Sequence, residues 1–277
     1  MTLNKIPKAL AIHDMSGFGR CALTVVIPVM SAFGIQVVPV PTALLSTHTG
    51  GFTDFAFCDM TDFMVETLRH YKELKIGFDC IYSGFLGNEN QAEITAEYIK
   101  AFGGDGCLKV VDPAFADDGE LYSTINPKMI DEMSMLVTHA DLTTPNFTEA
   151  AFLLGYEPKG DIDRLTAEKW VKELSGFGPA FSVITGVPVI GNKLLTVGYN
   201  KNSDMLYVNE CERHPDSYPG CGDVFTSFLS GCMLSGLSFE ESLDKAALFI
   251  NDSIRLGEQQ GDLVRNGLPF EYFLKKF

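Results

Sequence analysis

Short apolar runs rich in valine and isoleucine alternate along this chain with longer segments of helical period, and that alternation limits the folds open to it. Strands buried on both faces read as continuous apolar runs, and helices between them must cross over to reach the next parallel strand. Residues 9–12, 36–40, 80–82, 108–111, 182–185 and 205–208 read as strands. Met64, Leu68 and Tyr71, then Ile94 and Tyr98, then Ile130, Met133 and Val137 recur at spacings of three and four, which marks helix faces. After Gly222, the residues Val224, Phe225, Phe228, Leu229, Cys232 and Met233 form one wide apolar stripe, so a buried late helix is expected there. The pattern predicts an α/β fold with helices on both faces of a mostly parallel sheet. No segment repeats at a fixed period and no linker gathers the Pro and Gly residues, so residues 1–277 read as one domain.

Composition narrows the function. With 36 acidic and 21 basic residues the formal charge is -15, a field that repels phosphate polymers and anionic membranes. Nucleic acid and membrane partners are therefore not expected. An anionic ligand would need local backbone donors, a lysine or a metal ion to offset that field. The seven cysteines are odd in number and include no Cys-x-x-Cys pair, which fits a reducing cytoplasm better than a disulfide framework or a zinc site. Only four apolar residues, 9–12, follow the polar start, too few for a signal-peptide core or a membrane span.

Two polar clusters follow apolar extended segments. In Asp14-Met15-Ser16-Gly17-Phe18-Gly19-Arg20, the set Gly17, Gly19 and Ala22 matches a G-x-G-x-x-A dinucleotide fingerprint. That reading also needs an acidic residue near the end of the second strand, and Gln36-Val37-Val38-Pro39-Val40-Pro41 has none. The alternatives are a plain glycine turn, or polar substrate contacts from Asp14 and Ser16 at the carboxyl end of a strand. In Ser46-Thr47-His48-Thr49-Gly50-Gly51, His48 is either a hydrogen-bonded loop histidine or, with its neighbours, part of the same crevice.

The chain has no G-x-x-x-x-G-K-[ST], so a P-loop is excluded as a phosphate cradle. Pro219-Gly220-Cys221-Gly222-Asp223, at the head of the late helix, offers another device. Glycines let consecutive N–H groups converge there, and the helix dipole adds partial positive charge. Asp223 is either a first-turn capping residue or a carboxylate placed to take the proton of an attacking hydroxyl. Two strand-end motifs supply hard oxygens of the kind magnesium takes: Val111-Asp112-Pro113 and Thr144-Pro145-Asn146-Phe147-Thr148-Glu149. Prolines 113 and 145 end their strands and leave Asp112 and Asn146 at the mouth of the sheet. An adenine slot is apolar, so Val208, Phe249 and Ile250 read equally as slot or core.

These residues resemble the pyridoxal kinases of the ribokinase-like superfamily, over most of the chain. Gly220-Cys221-Gly222-Asp223 is similar to that family's Gly-Thr-Gly-Asp, and Asn146-Phe147-Thr148-Glu149 to its Asn-x-x-Glu. Asp112-Pro113 is similar to its Asp-Pro strand end, 45–50 to its Ser-Asn-His-Thr segment and 83–87 to its Gly-Tyr-Leu-Gly. The resemblance implies a three-layer α/β/α sandwich and an ATP-dependent kinase of the vitamin's 5′-hydroxymethyl group, using magnesium, with potassium as a further cation, as a cytoplasmic homodimer. It implies Asp223 as catalytic base, Gly220, Cys221 and Gly222 as anion hole, and Asp112 and Glu149 on the metal side. Asn146 and Thr185 would lie by the phosphates. Asp14, Ser16, His48, Thr49 and Phe85 would line the pyridine pocket, and residues 112–122 would form a closing loop. Three departures stand out: Cys221 replaces threonine and brings a thiol near an aldehyde, Asp14 replaces serine, and Phe85 replaces tyrosine. An aspartate at 14 suits a cationic amine or hydroxymethylpyrimidine. The rival readings are a hydroxymethylpyrimidine kinase and a vitamin-binding protein without catalysis.

Overall fold

The computed structural model describes residues 5–214, 218–261 and 264–275. In chain order its elements begin β1 (Lys8–Phe18), α1 (Leu23–Ala32), β2 (Gln36–Thr47), β3 (Phe57–Asp59), α2 (Thr61–Leu74), β4 (Cys80–Ser83), α3 (Asn90–Phe102) and β5 (Leu108–Val111). They continue with β6 (Ala116–Asp117), β7 (Glu120–Leu121), α4 (Lys128–Val137), β8 (Leu142–Thr143), α5 (Phe147–Leu154), α6 (Arg164–Ser175) and β9 (Phe181–Val189). The last are β10 (Lys193–Asn200), β11 (Met205–Glu212), α7 (Cys221–Leu234), α8 (Phe239–Gln260) and α9 (Glu271–Leu274). Nine strands form one sheet in the order β11-β10-β9-β8-β5-β4-β1-β2-β3. The six from β9 to β2 run parallel, while β10 and β3 run against them and β11, antiparallel to β10, closes one edge.

Period-2 alternation splits the interior into two cores, one on each side of the sheet. Leu10, Ile12, Ile81 and Val111 pack with Met64, Tyr98, Met133, Ala150 and Trp170 from α2 to α6. Ala9, Ala11, Cys80, Tyr82 and Val110 face the other way, against Leu23 and Val26 of α1, Phe225 and Phe228 of α7, and Phe249 of α8. Helices thus cover both faces, giving the three-layer α/β/α sandwich. The late apolar stripe is buried at Val224, Phe225, Phe228, Leu229 and Cys232, with Met233 partly buried. Among the described residues no helix is long and apolar enough to cross a membrane.

The strand expected over 9–12 extends to Phe18, because β1 and β2 stay paired through Ser16↔Leu45 and Phe18↔Thr47. Gly17 and Gly19 therefore do not form a strand-to-helix phosphate turn, and α1 begins only at Leu23. That removes the dinucleotide reading.

Candidate active site

One cleft of about 1370 Å³ opens at the carboxyl ends of the parallel strands, where sheets of this type bind ligands. Asp14, Ser16, His48, Thr49, Phe85, Asp112, Asn146, Glu149, Thr185, Gly220, Cys221, Gly222 and Asp223 all line it. Of the residues that read as adenine slot or core, Ile250 lines the cleft, while Phe249 is buried in the core and Val208 packs on the other one.

At the head of α7, Gly220 caps the helix with φ 81°, and a Cβ there would lie 1.9 Å from the Arg20 carbonyl oxygen. Only glycine satisfies both conditions. The Cys221 N–H donates to Tyr218 O at 3.3 Å. Among the described residues, the N–H groups of Gly222 and Asp223 have no backbone or side-chain partner, as first-turn donors of a helix do not unless something caps them. Asp223 does not cap its own helix. Its Oδ2 instead accepts the Ala22 N–H at 2.6 Å, and its Oδ1 lies 2.9 Å from His13 Nε2. Ala22 holds φ 55°, a conformation that costs a non-glycine residue about 1–3 kcal/mol and that turns its N–H to the carboxylate.

His13 was not singled out by the sequence, since a lone histidine at the end of an apolar run carries no local signal and its partner lies 210 residues away. Its Nδ1 lies 2.9 Å from Asp14 Oδ1, and Ser16 Oγ donates to Asp14 Oδ2 at 2.8 Å. Burial works to lower the His13 pKa, but the charges and hydrogen bonds of Asp223 and Asp14 outweigh it and push it up to about 10. The ring is thus an imidazolium that donates to both carboxylates. The Asp14 N–H, 3.0 Å from Nδ1, can donate there only when the ring is neutral. Asp14 therefore spends its charge on His13 and its second oxygen on Ser16, which argues against the free carboxylate that a substrate amine would need.

Burial, then the charge of Asp223, pushes the Asp112 carboxyl up to about 7, against the pull of His13, Thr226 and Tyr82. Tyr82 Oη donates to Asp112 Oδ2 at 3.3 Å. Glu149 closes a capping box on α5, accepting the Asn146 N–H at 2.8 Å, and also accepts the N–H groups of Phe115 at 3.2 Å and Ala116 at 3.5 Å. Burial and the Asp112 charge raise its pKa well above the usual range. Asn146 accepts the Glu149 N–H at 2.9 Å and donates through Nδ2 to Ala116 O at 2.8 Å, while Thr148 Oγ1 accepts the Gly119 N–H at 3.0 Å. Residues 112–122 are thus a small hairpin, β6 and β7 joined at Asp118 (φ 50°) and Gly119 (φ 83°), docked on the head of α5. Tyr122 of this segment packs on Phe85 with ring centroids 6.4 Å apart. Among the described residues no three His, Cys, Asp or Glu side chains converge as a metal cage.

His48 is buried, with both ring nitrogens engaged: Nδ1 accepts the Gly50 N–H at 3.1 Å, which leaves Nε2 to donate to Arg265 O at 2.7 Å. Burial, Asp117 and Asp223 push the Cys221 thiol up to about 12, so it stays protonated and unreactive toward an aldehyde at neutral pH.

The sequence model of the phosphomethylpyrimidine kinase family matches residues 26–266. A Bacteroides thetaiotaomicron protein, solved under the provisional name phosphomethylpyrimidine kinase, is 39% identical with a TM-score of 0.94, over 100% of this chain and 95% of that one. Its orthorhombic form, with pyridoxal, is 38% identical with a TM-score of 0.93, over 98% of this chain and 96% of that one. Pyridoxal kinase from Lactobacillus plantarum is 25% identical with a TM-score of 0.88, over 98% and 96%. The pyridoxine/pyridoxal/pyridoxamine kinase of Bordetella pertussis is 25% identical over 268 residues, 91% of this chain and 90% of its own. With the cleft, the α7 head and the strand-end acids in place, the chain belongs to the phosphomethylpyrimidine kinase family and stands with the pyridoxal kinases of the ribokinase-like superfamily.

Proposed function

We propose that this protein is an ATP-dependent kinase that phosphorylates the 5′-hydroxymethyl group of pyridoxal, pyridoxamine or pyridoxine, giving pyridoxal 5′-phosphate or its analogue in vitamin B6 salvage. The observation that carries this reading is at the head of α7. There a carboxylate turned away from its own helix cap stands beside two N–H groups that have no partner among the described residues, in the lining of one cleft. The pyridoxal bound by the 38% identical relative supports the choice of alcohol.

Phosphoryl transfer leaves little covalent work to a protein, so positioning and charge stabilisation supply most of the rate. Asp223 accepts the alcohol proton as the oxygen attacks the γ-phosphorus, and the N–H groups of Gly222 and Asp223, with the α7 dipole, hold the phosphoryl charge. Asn146 and Thr185 flank the phosphates, while Ser16, His48, Thr49 and Phe85 shape the ring pocket. His48 does so as a ring held at both nitrogens. The hairpin of β6 and β7 covers the site and excludes water.

Asp112 fits a magnesium ion: its carboxyl is buried, its ionised form is disfavoured without a cation, and magnesium asks for only one or two protein carboxylates beside nucleotide phosphates. Asp112 would hold the ion, with Glu149, whose oxygens already accept three main-chain N–H groups, in an outer position. When bound, the ion supplies charge neutralisation to the β- and γ-phosphates.

All seven cysteines are unpaired, in keeping with a cytoplasmic location. A homodimer is the expected assembly. The deciding experiment is ADP release with pyridoxal, pyridoxamine, pyridoxine, hydroxymethylpyrimidine and ribose. Fastest turnover on a B6 vitamer is expected, and turnover on none of them would end the kinase reading. The family's description, phosphomethylpyrimidine kinase, supports a second reading as a pyrimidine kinase, of which the hydroxymethylpyrimidine kinase is the form weighed from the sequence. It shares every ATP-side residue, and fastest turnover on the pyrimidine would establish it.

A further inference from the structure

His13 takes no part in the transfer as written above, yet it is the side chain that joins Asp14 to Asp223. It is 3% exposed, and its ring occupies a slot with no spare room: a Cβ on Gly84 would come within 2.1 Å of it, and Tyr82 meets it edge-on with centroids 6.1 Å apart. A carboxylate on a helix can rotate about two side-chain bonds. Asp223 is held at both oxygens by groups from the far end of the chain, Oδ1 by the His13 ring and Oδ2 by the Ala22 N–H. Asp14, itself held by Ser16, fixes the His13 ring from the other side.

We propose that His13 is a positioning residue that fixes the rotation of the Asp223 carboxylate toward the substrate alcohol, and that Asp14 and Ser16 serve chiefly to hold His13 in place. The inference rests on the kinase reading. In the step it serves, the alcohol O–H bond breaks as its oxygen bonds to the γ-phosphorus, the bond from that phosphorus to the ADP oxygen breaks, and the proton passes to Asp223. His13 keeps both its protons throughout.

The test is a double-mutant cycle on pyridoxal turnover with wild type, His13→Ala, His13→Gln, Asp223→Ala and the double variant. His13→Ala should lower kcat about 100-fold, the scale of loss from misplacing a reacting group by about 1 Å, with KM for pyridoxal and MgATP within about threefold of wild type. Glutamine keeps a donor at the position of Nε2 and should restore kcat to within about tenfold. The double variant should be no slower than Asp223→Ala alone, since the residues act as a unit. Losses that multiply, or a loss confined to KM, would overturn the proposal. If the wild type turns over no alcohol, the kinase reading fails separately, and ¹⁵N NMR of the His13 ring still reads the clamp. The Nε2 signal should move in Asp223→Asn and the Nδ1 signal in Asp14→Asn, and signals indifferent to both variants would overturn it.

Discussion

His13 Nε2 lies 2.9 Å from Asp223 Oδ1, a contact that closes the first strand onto the head of the seventh helix across 210 residues. The groups facing His13 are Asp223 and Asp14, with Asp112 farther off. Because its folded pKa of about 10 stands above the unfolded 6.5, the pair adds stability that is fully present below pH 6.5 and is lost as pH rises through 10. Urea unfolding of the wild type should weaken over that window by on the order of a few kcal/mol, and His13→Gln should lack most of the slope. Parallel pH curves for the two proteins would remove the ion pair.

Asp223→Ala should lower turnover by on the order of 10²–10⁴ while ADP binding, followed by calorimetry, stays within a few-fold of wild type. Retained turnover would take the base role from this residue.

Gly220→Ala forces a Cβ to within 1.9 Å of a main-chain oxygen at a positive φ, and a backbone atom has nowhere to go. A loss of about 2–4 kcal/mol in unfolding free energy is expected, together with lower kcat as the first turn of α7 shifts. Full stability in chemical denaturation would mean that the Arg20 segment yields easily.

Asp112→Asn should stabilise the ligand-free protein while reducing turnover. The Asp112 carboxyl has a folded pKa of about 7 against an ordinary 3.8, so wild-type stability falls as pH rises from 3.8 to 7 and levels off above it. Asparagine cannot ionise. The Tm difference between variant and wild type should therefore open across that interval and stay constant beyond it, by differential scanning calorimetry.

Most of the parallel strands were legible as apolar runs, fully buried in β4, and the late helix because its stripe is wide. β8 was not, since two residues carry no period. β10 left a usable sign in Gly191-Asn192, whose φ values of 99° and 60° make the turn from β9, and α8 left one in the capping box Ser238 to Glu241. At the site, the carboxylates and glycines announced themselves by motif. His13 and Ala22 did not, because what they do depends on a partner distant in sequence and, for Ala22, on a backbone angle. Asn146 and Glu149 looked like a phosphate and metal pair and also form a helix cap that holds the hairpin, a double use that sequence spacing alone does not separate.

The clamp also orders events during synthesis. β1 lies third from one edge of the sheet and leaves the ribosome well before α7, which carries the base and is made after more than two hundred further residues. A partly made chain can pair its early strands but has no Asp223 for His13 to hold, so a buried imidazole and Asp14 must wait with an open face until α7 docks on α1. Competence for phosphoryl transfer would then appear abruptly, only once α7 has been made and has docked.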